Sequence, residues 1–180
     1  MSARRLARLL CVLLVLTVTA GCRDATPRPG GTSDGGVLWR IPEAQIQALQ
    51  ITTCMRTVII ERHGTTWRSQ SGELAQSRAF KELLQVAATL VSNRSIRPTL
   101  PLAEYGLSSP TAAIAVRGVA FERTMRLGHL GPVPGNVYGQ IDSDPRLHLL
   151  PGLILEDALA LTSGPGGGGE RPAPCMPRPV

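Results

Sequence analysis

The stretch that decides the fold is residues 47–62, QALQITTCMRTVIIER. Its two ends, 47–51 and 57–62, are rich in aliphatic and β-branched side chains, a composition that favours strands. The connection between them is short and polar, and strands that follow one another so closely pair in antiparallel fashion. An antiparallel sheet is therefore predicted to begin here.

A turn, a short strand and a helix are predicted next. Residues 63–66, His-Gly-Thr-Thr, form a turn sequence, and Trp67 opens the third strand. Ser77 is a suitable N-cap for a helix that runs to Ser92-Asn93. Because their spacing is 3, 1, 3 and 4, five apolar residues share one face of that helix: Phe80, Leu83, Leu84, Ala87 and Val91.

The second half of the chain returns to strands. Four strands and a closing helix are indicated at residues 112–117, 121–127, 137–141, 147–149 and 153–161. Residues 142–145, Asp-Ser-Asp-Pro, are a turn signal between the last two strands. The predicted fold class is therefore α+β, a mostly antiparallel meander sheet with one long amphipathic helix and a short C-terminal helix.

The N-terminus has the three parts of a secretory signal peptide. Residues 1–8 are basic, residues 9–20 carry no charge, and small residues lead into Cys22. A helix over the uncharged run would be ~18 Å long, too short for a hydrocarbon core of ~30 Å. We therefore predict that residues 1–21 are a signal peptide rather than a permanent membrane span.

Residues 19–22, Thr-Ala-Gly-Cys, resemble the lipobox of bacterial lipoproteins. The resemblance implies that the Cys22 thiol receives diacylglycerol, that cleavage occurs just before it, and that membrane lipid anchors the chain. Two or more acyl chains hold a protein stably, since each buried CH₂ contributes ~0.8 kcal/mol. By resemblance to the sorting of enterobacterial lipoproteins, Arg23 after the cysteine favours the periplasmic face of the outer membrane. An ordinary signal peptide cut near Ala20 is the alternative.

Two tails flank the domain that these patterns predict at residues 37–162. Residues 22–36 contain the lipidated cysteine and a Gly-rich segment without apolar periodicity, which indicates a flexible tether. Residues 163–180 are rich in Gly and Pro and cannot bury enough apolar surface to offset the entropy of ordering. A disordered C-terminal tail is therefore predicted.

The net charge does not indicate a nucleic-acid partner. The full chain carries 19 basic and 13 acidic side chains, but three of the arginines belong to residues 1–8. The remaining 16 against 13 give +3, and basic residues alternate with acidic ones. Since nucleic-acid binding needs clustered positive charge, nucleic acid is not expected among the partners.

The four cysteines are at positions 11, 22, 54 and 175. Cys11 leaves with the signal peptide, and Cys54 and Cys175 remain in a compartment that allows disulfides. Cys54 lies beside a predicted strand and Cys175 in the Pro-rich tail, so a defined disulfide between them is not expected. No pair of cysteines has the spacing of a metal site.

Catalytic signatures are missing from the sequence. No serine lies in a G-x-S-x-G or S-x-x-K pattern, and the stretch 128–135 contains two prolines where a phosphate loop needs amide donors. Asp142 and Asp144 suit a turn or a weak calcium site equally well. Three histidines without a metal-binding pattern are predicted to be surface or turn residues: His63, His129 and His148. We therefore expect no enzyme, no cofactor and no metal.

Three stretches carry a family resemblance: 64–67 followed by the helix, 105–110 (Tyr-Gly-Leu-Ser-Ser-Pro) before a strand, and 127–128 with 137–140. They resemble the bacterial envelope domains called domain of unknown function 4340, over about residues 46–161. The resemblance implies an exported or membrane-tethered α+β domain, in some members encoded near transporter or gliding-motility components. It implies no reaction.

The residues of these motifs also have a structural interpretation. Gly106 permits a positive φ, Leu107 fills the core, and Pro110 disfavours helix at the residue before it. Tyr105 packs its ring and pairs its hydroxyl, and Trp67 follows a turn. We therefore interpret the motifs as determinants of the fold rather than of catalysis.

Three functional hypotheses follow. The first is a membrane-anchored envelope lipoprotein whose domain is a binding or scaffolding module, contacting another envelope protein or transporter component through a sheet edge or the 128–135 stretch. The alternative is a solute- or lipid-binding lipoprotein with a pocket between helix and sheet. The third is a hydrolase with a dispersed active site, which requires a nucleophile and a base within hydrogen-bond reach.

Overall fold

The alternating and wholly apolar stretches of the sequence form the strands of one sheet. The computed structural model describes residues 33–70, 75–142 and 144–163. Within these residues the strands are β1 (Ser33–Arg40), β2 (Ile46–Thr53), β3 (Thr57–His63), β4 (Thr66–Ser69), β5 (Thr89–Ile96), β6 (Ala112–Gly118), β7 (Glu122–Leu130), β8 (Asn136–Ile141) and β9 (Leu147–Pro151). The helices are α1 (Arg78–Ala88) and α2 (Leu153–Ser163).

The nine described strands are ordered β1-β5-β9-β8-β7-β6-β2-β3-β4, and every neighbouring pair is antiparallel. Strands β6 to β9 follow one another in the sheet as they do in the sequence, and so do β2 to β4, so each run is a meander. The neighbouring pairs β1–β5, β5–β9 and β6–β2 instead bring together strands that are distant in sequence. The predicted α+β class with a mostly antiparallel sheet is confirmed. Within the described residues β1 and β4 are the two edges of the sheet.

Both helices pack on one face of the sheet, which we call the inner face. Ile114, Met125 and Ile141 point to this face from neighbouring strands, because they are directly paired across β6, β7 and β8. They share a buried cluster with Phe80 of α1 and Ile154 of α2. The inner face therefore contains the main hydrophobic core.

Helix α1 begins as predicted and ends early. The Ser77 side chain accepts a hydrogen bond from the Phe80 amide at 3.2 Å, the geometry of an N-cap. The predicted end at Ser92-Asn93 is wrong: the helix ends at Ala88, and Val91 is an exposed residue of β5. The sheet overrides the helical spacing here, because residues from Thr89 onward pair with β1 and β9. The sequence predicted a long first helix and a short C-terminal one, but α1 and α2 have 11 residues each.

Strand β1 corrects the predicted tether. Residues 33–36 were expected to be flexible, but they pair with β5. Gly35 packs so closely against β5 that a β-carbon there would overlap the Ser92 carbonyl oxygen. The glycine thus serves close strand packing rather than flexibility. Residues 22–32 and 164–180 lie outside the described residues.

Candidate functional site

An open cavity of about 260 Å³ lies on the inner face, between β1 and the ends of β5, β8 and β9. The strand register places its polar side chains there, because Ser95 pairs with His148 and His148 pairs with Gly139. Apolar and backbone walls complete the cavity: Gly36, Val37, Leu38 and Ile141. Asp144 and Arg146 line its rim, in the turn before β9.

Ser95 and His148 form a buried hydroxyl–imidazole pair. Ser95 Oγ lies 2.9 Å from His148 Nδ1, and the two side chains are 6% and 0% exposed. Burial lowers the pKa of His148, so the ring is neutral near pH 7 and carries one proton. If the Ser95 hydroxyl donates to Nδ1, that single proton lies on Nε2.

The other ring nitrogen of His148 has no hydrogen-bond partner among the described residues. Nε2 is fully buried and lies 3.5 Å from Asp144 Oδ2, too far for a good hydrogen bond. An unpaired polar atom in this position costs about 1–3 kcal/mol. The Asp144 carboxylate nevertheless acts on the ring, because its charge raises the pKa of His148 against the larger effect of burial.

Asp144 is held by its neighbour in the turn. The Arg146 guanidinium donates to both carboxylate oxygens, from Nη2 to Oδ2 at 2.8 Å and from Nε to Oδ1 at 3.1 Å. These hydrogen bonds lower the pKa of Asp144 to about 2. The cavity lining therefore combines a buried neutral imidazole with an ion pair, the Asp144 carboxylate and the Arg146 guanidinium, whose charges cancel.

Sequence reasoning missed this cluster. His148 was predicted to be a surface or turn residue, and this is wrong because β9 is covered on both faces. His63 and His129 are exposed. Ser95 and His148 are 53 positions apart, and only the pairing of β5 with β9 brings them together. A wholly apolar run interrupted by one histidine, Leu-His-Leu-Leu, was the available signal for a buried imidazole.

The predicted motif residues lie away from this cavity. Tyr105 and Leu107 form a second buried cluster with Leu147 on the outer face of the sheet. The Tyr105 ring meets Tyr138 edge-on at 5.0 Å, and its hydroxyl accepts from the Thr99 amide at 3.3 Å. Trp67 packs against Phe80 of α1 at 5.5 Å.

Two motifs of the family resemblance contact each other. Gly106 adopts a φ of 72°, and the β-carbon position of Gly128 points at the Tyr105 carbonyl. The Thr111 hydroxyl, one residue after Pro110, donates to the Gly128 carbonyl at 3.3 Å. The expected irregular stretch 128–135 is shorter than predicted, since β7 continues to Leu130.

Of the four cysteines, Cys54 lies among the residues that the structure describes and the other three do not. Cys54 is disulfide-bonded, and the expectation that it does not pair with Cys175 stays a prediction. The connection between β2 and β3 holds it in an exposed position, where a second segment can approach it. The predicted lipidation site, Cys22, lies outside the described residues, as does the bonded partner of Cys54.

Residues 33–70, 75–142 and 144–163 contain neither a metal-binding cluster nor a membrane-spanning helix. These residues contain no group of three or more His, Cys, Asp or Glu side chains that could hold a metal ion. Asp142 instead accepts from the Thr124 amide at 2.7 Å through Oδ1, as a turn residue does. Neither of the two helices there is long and apolar enough to span a membrane.

No family model, curated protein or solved structure matches this chain. The resemblances to the lipobox and to domain of unknown function 4340 therefore stay predictions that rest on the quoted motifs.

Proposed function

We propose that the chain is a lipoprotein of the bacterial cell envelope, anchored through acylated Cys22, whose folded domain is a binding or scaffolding module. The anchor rests on the signal-peptide layout of residues 1–21 and on the small-small-Cys ending at residues 20–22. Acylation by two or three chains would hold the domain permanently at a membrane. The periplasmic face of the outer membrane is the proposed location.

The disulfide of Cys54 supports an exported location. Disulfides persist in oxidising compartments such as the bacterial periplasm and are rare in the cytosol. Cys54 is exposed in the connection between β2 and β3, where a cytosolic thiol would stay reduced. This bond therefore agrees with the export that the N-terminus predicts.

The observation that favours a protein partner is an exposed apolar surface at one end of β7. Leu130 is 71% exposed and Val133 52%, and Leu153 at the start of α2 is 61% exposed. The Gly152 amide donates to the Gly135 carbonyl at 2.7 Å, which brings the loop 131–135 against the start of α2. Exposed apolar side chains that gather in one place commonly mark an interaction site.

The first test concerns the anchor. Radiolabelled palmitate is expected to label the native protein and not Cys22→Ala, because the thiol is the proposed point of acylation. The variant is also expected to accumulate as a larger precursor on a denaturing gel, since cleavage follows acylation. Equal processing of both proteins would contradict the proposal.

Peptide mapping without reduction provides an independent control. Under the proposal Cys11 is removed and the Cys22 sulfur is occupied by a thioether, so Cys175 is the cysteine left to pair with Cys54. A Cys54–Cys175 linked peptide is therefore expected in the mature protein. A Cys22–Cys54 linked peptide would show that Cys22 is not lipidated.

The second test concerns the partner surface. Mild crosslinking in cells followed by detergent extraction is expected to recover an envelope protein with the native lipoprotein. The double change Leu130→Ser and Val133→Ser should reduce that recovery several-fold, because it removes apolar area from the surface. Val119→Ser is the matched control, since Val119 is 92% exposed at the opposite end of β7. Equal loss with the control would contradict this surface.

Two further candidates are each favoured by one observation. Solute binding is favoured by the inner-face cavity. A hydrolase is favoured by the contact of Ser95 Oγ with His148 Nδ1, the hydroxyl–base pair that such an enzyme needs. Asp144 lies beside the remote nitrogen, although Arg146 already binds its carboxylate.

A further inference from the structure

Strand β1 is an open edge of the sheet. It is eight residues long and pairs only with β5 among the described residues, so alternate backbone N–H and C=O groups face away from the sheet. Proteins commonly protect such an edge with proline, lysine or other charged side chains. The central residues 35–39, Gly-Gly-Val-Leu-Trp, contain none of these, although a bulge interrupts the ladder with β5 between Val37 and Trp39. The centre of β1 therefore has the backbone groups that accept another strand.

An exposed apolar pair lies at this edge. Val37 of β1 and Val91 of β5 are directly paired, and their side chains are 54% and 41% exposed. Directly paired side chains lie on the same face of a sheet. A strand added beside β1 would cover Val37 and remove apolar surface from water, which favours its addition.

The sequence of β1 is complementary to itself in antiparallel orientation. If Val37 faces Val37 of a second copy across a two-fold axis, this register also fixes the neighbouring pairs. Gly35 then faces Trp39, and an aromatic side chain opposite a glycine stabilises the edge of a sheet. Gly36 faces Leu38, the extra residue of the bulge, and no atom lies within 4 Å of a β-carbon built at Gly36. The bulged residue of each copy therefore meets open space on the other.

The same register brings opposite charges together at its two ends. It places Asp34 of one copy opposite Arg40 of the other, and the two-fold axis repeats the pair. Within one chain these residues are six positions apart along the strand, about 20 Å, so they do not meet. Opposite charges directly across an antiparallel pair are stabilising. A register displaced by two residues would lose both pairs, so the charges favour the register centred on Val37.

We propose that two copies of this chain associate through β1, in an antiparallel pair whose two-fold axis passes beside Val37. The two sheets then join into one continuous sheet. The inference goes beyond the proposed function, because three strands separate β1 from β7 and the surface at Leu130 and Val133 stays free for another protein. It needs no lipid anchor, so failure of palmitate labelling at Cys22 would leave it standing.

Sedimentation velocity of the mature full-length protein in detergent micelles provides the test, and the native protein is expected to be a dimer in the micromolar range. Val37→Lys and Val37→Asp each place two like charges at the axis, so each should weaken dimerisation at least about fivefold. An equimolar mixture of the two variants, tagged with different masses, is expected to restore the dimer, because lysine then faces aspartate. Val119→Lys, at a position that is 92% exposed between β6 and β7, should dimerise as the native protein does.

Val37→Cys provides an independent measurement of the same register. Directly opposite residues of an antiparallel pair have Cα atoms about 4.5–5.5 Å apart, a separation that a disulfide can span. Mild oxidation is therefore expected to link Val37→Cys into a dimer that a reducing agent separates. Val119→Cys should stay monomeric on the same denaturing gel, since its position faces away from the proposed contact.

Three outcomes would overturn the proposal. The first is a folded native protein that stays monomeric in the micromolar range. The second is unchanged dimerisation of Val37→Lys and Val37→Asp, which would place the contact elsewhere, such as at Leu130 and Val133. The third is a mixture of the two variants that stays monomeric when each variant alone is monomeric, which would mean that a second copy does not pair with β1 in this register.

Discussion

Gly128→Ala is expected to lower the free energy of unfolding by about 3 kcal/mol, the upper end of the usual cost of overpacking and a large part of the roughly 5–15 kcal/mol typical of a domain. A β-carbon at this position would overlap the Tyr105 carbonyl oxygen and lie 3.1 Å from the carbonyl carbons of Tyr105 and Gly106. All three atoms are backbone, so no rotamer change can relieve the overlap. Either β7 or the turn before β6 must move, and urea denaturation would measure the loss.

Gly36→Ala is the control for this change. It adds the same methyl group to another strand glycine, but at Gly36 no atom lies within 4 Å of the added carbon. Its effect on the free energy of unfolding should stay within about 0.5 kcal/mol, as is usual for exposed positions. A loss in Gly128→Ala no larger than in this control would contradict the close packing of β7 against the turn at Gly106.

This contact gives two of the resemblance motifs a shared physical basis. The turn at residues 105–106 places its backbone against Gly128, and Thr111 then bonds the Gly128 carbonyl. Glycine at both positions allows the turn to lie flat on the sheet, with Leu107 filling the space beside it. The motifs thus support the outer face of the sheet, opposite the cavity at His148.

Most strands could be predicted because their side chains alternate between a buried and an exposed face. Ala112, Ile114 and Val116 are all fully buried, as their period of two indicates. Strand β1 could not be predicted in this way, since Ser33–Gly36 has no apolar side chains to alternate. Its pairing is set by the open edge of β5 and by the close approach that Gly35 permits.

The candidate cavity could not be predicted because every part of it depends on tertiary pairing. Ser95 and His148 become neighbours only through the β5–β9 register, and β5 itself was predicted to begin as helix. Asp144 was recognised as a turn residue, and its role at the rim of a cavity depends on where β9 lies in the sheet. Local sequence patterns carry little information on such long-range placement.

Asp157→Asn is expected to stabilise the protein at pH 7.5 and to have little effect at pH 4. Burial, with the nearby negative charge of Glu82 on α1, raises the pKa of Asp157 to about 6. Because the folded state binds this proton more tightly than the unfolded state, the free energy of unfolding falls as pH rises from about 4 to about 6. A two-unit shift corresponds to about 2.7 kcal/mol, and partial exposure of Asp157 reduces the expected gain to the order of 1 kcal/mol.

Titration of His148 changes the free energy of unfolding in the opposite direction to titration of Asp157. Its pKa is lowered by burial, so stability is lost as pH falls below the unfolded value of about 6.5. Between about pH 4 and 6.5, the effects of the two groups on the free energy of unfolding partly cancel in the native protein. In Asp157→Asn, only the loss of stability caused by His148 remains as the pH falls. Urea denaturation at several pH values from 4 upward, where Asp144 stays ionised, would measure both effects, with Glu104→Gln as the exposed control. A gain in Asp157→Asn that is equal at pH 4 and 7.5 would show that the helix pair does not hold Asp157 in a buried, charge-repelled site.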